Sequence, residues 1–194
     1  LHDALPIYWG GGIYPTNDGN YILCGGKKLT ISDPSDLWLI KIDQNGNMLW
    51  EKTYGGNKGD GFLKVYELND GTFVMIGNTD SYSPDGYDDG IIMKVAANGD
   101  SIWARVYKKA THPNWPDDYF WDFKPTPDGG FIIAGMTRDS VTKQDAWLVK
   151  VDCFGCDSVL CYYGDSVCVD TAPVNVISEP AIKNKSYSSI YPNP

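Results

Sequence analysis

Histidine and clustered basic residues are what this sequence has least of. Two histidines, His2 and His112, occur in 194 residues, too few for a histidine-rich metal centre or a histidine-based catalytic triad. Lysine and arginine number 16 against 25 acidic residues, for a formal net charge of −9. The basic side chains are scattered, so neither nucleic acid nor an anionic membrane surface is an expected partner. No apolar run approaches the roughly 18 residues needed for a membrane-spanning helix, and no window shows helical periodicity, which leaves β-structure as the carrier of the fold.

What is present is a repeat. DLWLIKIDQNGNMLWEKTY at 36–54 returns as DGIIMKVAANGDSIWARVY at 89–107 and as DAWLVKVDCFGCDSVLCYY at 145–163. In each copy a short apolar run precedes a turn ending in glycine (Gly46, Gly99, Gly155), and the first two copies place a tryptophan, Trp50 or Trp103, on the strand that follows. A tyrosine closes every copy: Tyr54, Tyr107 and Tyr163. Asn45-Gly46 predicts a two-residue type I′ hairpin turn. Upstream of each unit lies another glycine turn (NDG at 17–19 and 69–71, PDGG at 127–130), then an apolar strand, YILCG, FVMIG or FIIAG. These strands are apolar at successive positions, so burial on both faces is expected.

Each unit therefore reads as strand, glycine turn, buried strand, variable loop, strand, glycine turn, strand. Four short antiparallel strands repeating at about 52 to 58 residues fit the blade of a β-propeller, because solenoid repeats of that length are helical. The expected fold is all-β: three four-stranded blades at about 8–54, 60–107 and 118–163, forming an open arc because propellers close with roughly four to eight blades. Trp38 with its equivalents Ile91 and Trp147, together with Trp50 and Trp103, are assigned to packing between blades. Their recurrence at fixed strand positions favours core over a ligand platform. The terminal faces of such an arc would leave apolar strands uncovered, and the chain is expected to associate.

Candidate functional residues lie in the variable loops, where a rigid scaffold presents binding groups. Asp80, Asp85, Asp88 and Asp89 form a weak calcium candidate without EF-hand spacing, and a solvated acidic loop is the preferred reading. Trp115 and Tyr119 with Asp117 and Asp118 suggest a sugar-stacking patch. His112 reads as an exposed loop histidine. Lys41, Lys94 and Lys150 recur between apolar neighbours and are expected to snorkel or to pair with carboxylates. No set of titratable groups converges in one unit alone, so no catalytic residue and no cofactor is assigned. Cys153, Cys156, Cys161 and Cys168 cluster within 16 residues and favour disulfides over zinc, with connectivity open, whereas Cys24 reads as a small buried hydrophobe.

Three resemblances add to this reading. Residues 1–7, LHDALPI, resemble a translated sequencing-adapter read and are set aside from the fold. The units, GGFIIAGMTRDSVTKQDAWLVKVD above all, resemble repeats of exported Bacteroidetes proteins. After a linker at 164–189, residues 190–194 with Tyr191-Pro192-Asn193-Pro194 resemble the start of the C-terminal sorting domain of the type IX secretion system. That resemblance implies a fragment cut at both ends of a secreted or cell-surface protein, delivered by the secretion machinery. DQNGNMLW at 43–50 is similar to the tryptophan-docking motif of quinoprotein dehydrogenases and outer-membrane assembly propellers, which supports the blade more than the quinone chemistry. The expected function is non-catalytic interaction with a protein or glycan, and the alternative is a fragment of a propeller enzyme such as a quinoprotein-like dehydrogenase or a hydrolase.

Overall fold

The computed structural model describes residues 7–83, 85–110, 112–138, 141 and 143–157. The described residues contain eleven strands and no helix: β1 (Ile7–Pro15), β2 (Tyr21–Lys27), β3 (Asp36–Ile42), β4 (Met48–Tyr54), β5 (Asp60–Glu67), β6 (Phe73–Thr79), β7 (Asp89–Val95), β8 (Ser101–Tyr107), β9 (Asp118–Pro125), β10 (Phe131–Thr137) and β11 (Asp145–Val151). They form three antiparallel meanders, β1-β2-β3-β4, β5-β6-β7-β8 and β9-β10-β11, stacked as an open, partial propeller-like arc. In the third blade, Val159 and Tyr163 lie outside the described residues. β1 begins at Ile7, which pairs with Lys27, so the fold takes in the last residue of the heptapeptide set aside above.

The hairpin turns differ from the type I′ expectation. In all six, one residue donates its N–H to the carbonyl four residues on, and the glycine three residues on donates back to that first residue's carbonyl. Asp43 N bonds Asn47 O at 2.9 Å and Gly46 N bonds Asp43 O at 3.0 Å, and the residues around Gly19, Gly71, Gly99, Gly129 and Gly155 repeat this. Only the glycine takes positive φ (84° at Gly46), whereas a type I′ turn needs two such residues. The loop is thus three residues long and ends in a glycine bulge. At Gly46 the leading aspartate supports this turn, Asp43 Oδ1 accepting the N–H groups of Asn45 and Asn47 at 2.8 Å each, but Leu68 and Ala96 lead the same turn without a side-chain acceptor, so the glycine at positive φ is what the six have in common.

Strand alternation divides each sheet into two faces. Phe73 and Met75 of β6 pack with Ile22, Cys24, Leu37 and Leu39 of the first blade. Their neighbours Val74 and Ile76 pack the opposite way, on Phe120, Phe131, Ile133 and Trp147 of the third. Burial on both faces therefore belongs to the middle blade, which has two neighbours. In the outer blades β2 exposes Tyr21 and β10 exposes Ala134. Ile91, Trp103 and Trp147 belong to the inter-blade cores and Trp50 packs against one. Trp38 is buried but lies on the face turned away from the second blade. There its indole donates to Glu51 at 3.0 Å beneath the Lys27 ammonium.

Each junction is fastened at the turn glycine of the following blade. Tyr54 donates its hydroxyl to Gly99 O at 2.5 Å, and Tyr107 does the same to Gly155 O. Trp50 lies against Gly99 and Trp103 against Gly155, so that a Cβ on either glycine would meet the indole at 3.1 or 2.7 Å. At the same end the recurrent lysines pair with the recurrent turn aspartates: Lys41 with Asp18 at 2.6 Å, Lys94 with Asp70 at 3.5 Å, Lys150 with Asp128 at 2.7 Å. The innermost strands share a bulge, at Gly11, Leu63 and Trp121. They also converge: the Tyr14 phenol, pushed up to about 12 chiefly by burial, feels the Asp122 carboxylate two blades away.

Glycine-to-alanine substitutions separate the conformational from the packing role of these turns. Gly71 and Gly99 share φ values of 77° and 83°, yet a Cβ at Gly71 meets nothing within 4 Å, whereas at Gly99 it meets Lys52 and Trp50. Both variants pay a left-handed penalty of about 1–2 kcal/mol. Gly99→Ala is expected to lose at least about 1 kcal/mol more than Gly71→Ala in urea unfolding, because it also pushes the aromatic seat apart.

Candidate functional site

Because strands alternate in direction, the two glycine turns of each blade leave at one end, and the loops between the second and third strands and between blades leave at the other. The turns repeat and the loops do not. The loop end of the junction between the second and third blades therefore holds most of the chemistry that is not repeated, and its lowest layer is a set of buried carboxylates.

Asp60 and Asp118 open the first strands of the second and third blades and tie each to the blade before. Asp60 N donates to Ser35 O at 2.6 Å and Asp118 N to Asp88 O at 2.7 Å. The Asp118 carboxylate accepts the N–H groups of Lys109 and Ala110 at 2.6 and 2.8 Å, pinning the linker from β8. Asp60 accepts from the hydroxyls of Thr79 and Ser81 at 2.5 and 2.6 Å. Burial raises both carboxyls above the ordinary range, and these hydrogen bonds only partly offset it. Sequence reading did not single out these two residues as anchors. The signal was their shared offset before the turn glycine, at which the first blade carries Tyr8 instead.

The four aspartates of the calcium candidate do not converge. Asp85 and Asp89 share the Lys108 ammonium, at 2.6 and 3.5 Å. Asp80 instead faces Asp88, whose other contact is the Tyr119 hydroxyl at 2.6 Å. Among the described residues no group of three or more histidine, cysteine or acidic side chains is placed to hold a metal. Burial pushes Asp89 up to about 7, outweighing Ser83 and Lys108, with Asp118 and Asp85 adding repulsion. Asp80 is also pushed up to about 7, by burial first and then by Asp88. Burial opposes the charge on Lys108, but its carboxylate partners prevail and raise its pKa.

Above this layer stands an aromatic platform. Trp115 is 60% exposed and stacks on His112, with centroids 5.3 Å apart and planes 19° from parallel. His112 is half-buried rather than exposed, because its Nδ1 accepts the N–H of Trp115 at 3.1 Å and of Asn114 at 3.3 Å, folding the loop over the ring. Beside it Asp117 pairs with Arg138 at 2.7 Å. The sugar patch expected from sequence is only partly assembled. Asp118 is fully buried and the Tyr119 hydroxyl is committed to Asp88. Trp115, His112, Asp117 and Arg138 remain to meet a ligand.

The other singled-out residues lie elsewhere. Cys24 is a buried free thiol, pushed up to about 12 by desolvation. Cys153 and Cys156, either side of the β11 turn, are both disulfide-bonded. Cys161, Cys168 and the Tyr191-Pro192-Asn193-Pro194 motif fall outside the described residues. The chain matches no protein-family model and no curated protein.

The raised carboxyls set a pH dependence whose sign follows from linkage. A folded-state Asp89 near 7 holds its proton while the unfolded side chain, near 4, has lost it. Between those values the folded state binds more protons, so stability falls as pH rises from about 4 to about 7. Thermal unfolding of Asp89→Asn across this window is expected to show a shallower decline than the parent and a higher melting temperature at pH 8.

Proposed function

We propose that this chain is a non-catalytic interaction module whose loop end binds a protein or carbohydrate partner. The stacked and exposed Trp115 carries the reading and favours a sugar. An indole held rigid by His112 offers an apolar face to the C–H face of a pyranose, and Asp117 and Arg138 supply an acceptor and donors for ring hydroxyls. The recurrent lysines and turn aspartates, by contrast, are paired with one another as part of the blade.

The competing reading, a fragment of a propeller enzyme, draws on the Asp80 and Asp89 carboxyls, each raised to about 7. Asp80 faces Asp88, itself bonded by Tyr119, and Asp89 pairs with Lys108, so both carboxyls have partners within the protein.

A secreted or cell-surface destination is part of the same proposal. It is supported by the Tyr-Pro-Asn-Pro motif and by two disulfide-bonded cysteines, which persist in oxidising compartments.

Two measurements test these readings. On a glycan array, Trp115→Ala is expected to lose tenfold or more of the parent signal, since truncating a central aromatic contact commonly costs over about 2 kcal/mol. Equal binding by the variant, or no glycan bound by the parent, would refute the carbohydrate reading. Alkylation of non-reduced protein followed by mass spectrometry should leave Cys153 and Cys156 unlabelled, with Cys24 labelled only after denaturation.

A further inference from the structure

The repeat supplies an internal standard for which surfaces are meant to be covered. At both junctions a blade receives its successor through the same positions. Leu39 and Ile92 occupy one such position and are fully buried; their equivalent in the third blade, Leu148, is 64% exposed. Its cross-strand partner Ala134 is exposed as well, although Cys24 and Ile76 at that position are buried. Among the described residues the outermost receiving face is thus apolar at its centre and uncovered.

The complementary surface is uncovered on the first blade. Val65 and Phe123, which enter the preceding blade from the second and third, are buried, but their equivalent Ile13 is 57% exposed. Phe73 and Phe131 are likewise buried, and their equivalent Tyr21 is 38% exposed. Leu23, in register with Ile13, is half-buried between them. Trp38 and Ile40, deeper on this face, are already buried, so the free margin consists of these three residues. Among the described residues one chain therefore carries a free margin of both halves of an interface that it builds twice internally.

We propose that a second copy of this chain docks its first blade, through Ile13, Leu23 and Tyr21, onto the third blade of its partner at Ala134 and Leu148. Because each copy has one of each surface, two such head-to-tail contacts related by a twofold axis close a dimer. Two copies bring six blades, within the roughly four to eight at which propellers close. The contact continues the packing already seen between Phe73 and the first blade and between Phe131 and the second. It does not depend on what the loop end binds.

Sedimentation equilibrium of the whole chain and of two variants tests this. The parent is expected to have the mass of two chains at micromolar concentration. Leu148→Asp and Ile13→Asp, both at exposed positions and therefore expected to leave the circular dichroism spectrum unchanged, should each fall to the mass of one. Mixing the two variants should restore a two-chain species, because an intact first blade on one meets an intact third blade on the other. A monomeric parent, variants that keep the dimer mass, or variants that do not complement each other on mixing would each overturn the proposal.

Discussion

The contact on which the arc depends is the seating of one blade's turn glycine against the tryptophan and tyrosine of the blade before it. Its three parts come from different constraints. The hairpin needs a residue at positive φ, the indole needs a neighbour without a side chain, and the tyrosine hydroxyl needs an acceptor. A single glycine meets all of them, at Gly99 and again at Gly155. The hydrogen bond contributes about 1 kcal/mol net. Its larger role is to fix the register of blade on blade, because shifting the contact by one residue would leave the hydroxyl without its carbonyl and the indole against a side chain. Packing of Phe73 and Phe131 behind the seat then supplies the apolar burial.

Charge is handled differently at the two ends of each blade. At the turn end, Lys150 and Asp128 are exposed and form a surface pair of the kind worth under about 1 kcal/mol. At the loop end, Asp89 and Asp118 lie fully buried, and desolvation raises the pKa of both, with repulsion from Asp118 and Asp85 adding to it at Asp89. At Asp118 the cost is offset because the carboxylate ties down the linker N–H groups of Lys109 and Ala110. Without such acceptors those N–H groups would be buried and unpaired.

The strands and blade order were legible in the sequence because short continuous apolar runs between glycine turns, repeated at a fixed spacing, are a strong local signal, as in FVMIG and FIIAG. The lysine pairing was legible in outline, since a charge recurring between apolar neighbours must reach either water or a counterion. The turn type was not. It depends on how many residues the loop spans, and the same three-residue turn forms behind Asp43, Leu68 and Ala96 alike, which the Asn45-Gly46 dipeptide conceals. The position of Trp38 was also hidden, because its repeat position packs against a preceding blade and the first blade has none among the described residues. In the loops, Trp115 and Tyr119 looked equivalent on paper. Only the fold shows that Asp88 takes the Tyr119 hydroxyl and leaves Trp115 free.

The bulge shared by the innermost strands at Gly11, Leu63 and Trp121 bears on how such strands resist edge-to-edge pairing. Those strands are sheet edges, each with a row of backbone groups that another strand could join. A bulge in the middle of the row, with a proline closing β1 at Pro15 and β9 at Pro125, breaks the straight ladder that fibrillar stacking requires. The sheets are thereby left able to meet flat against one another and poorly able to lengthen sideways, which distinguishes stacked blades from an amyloid.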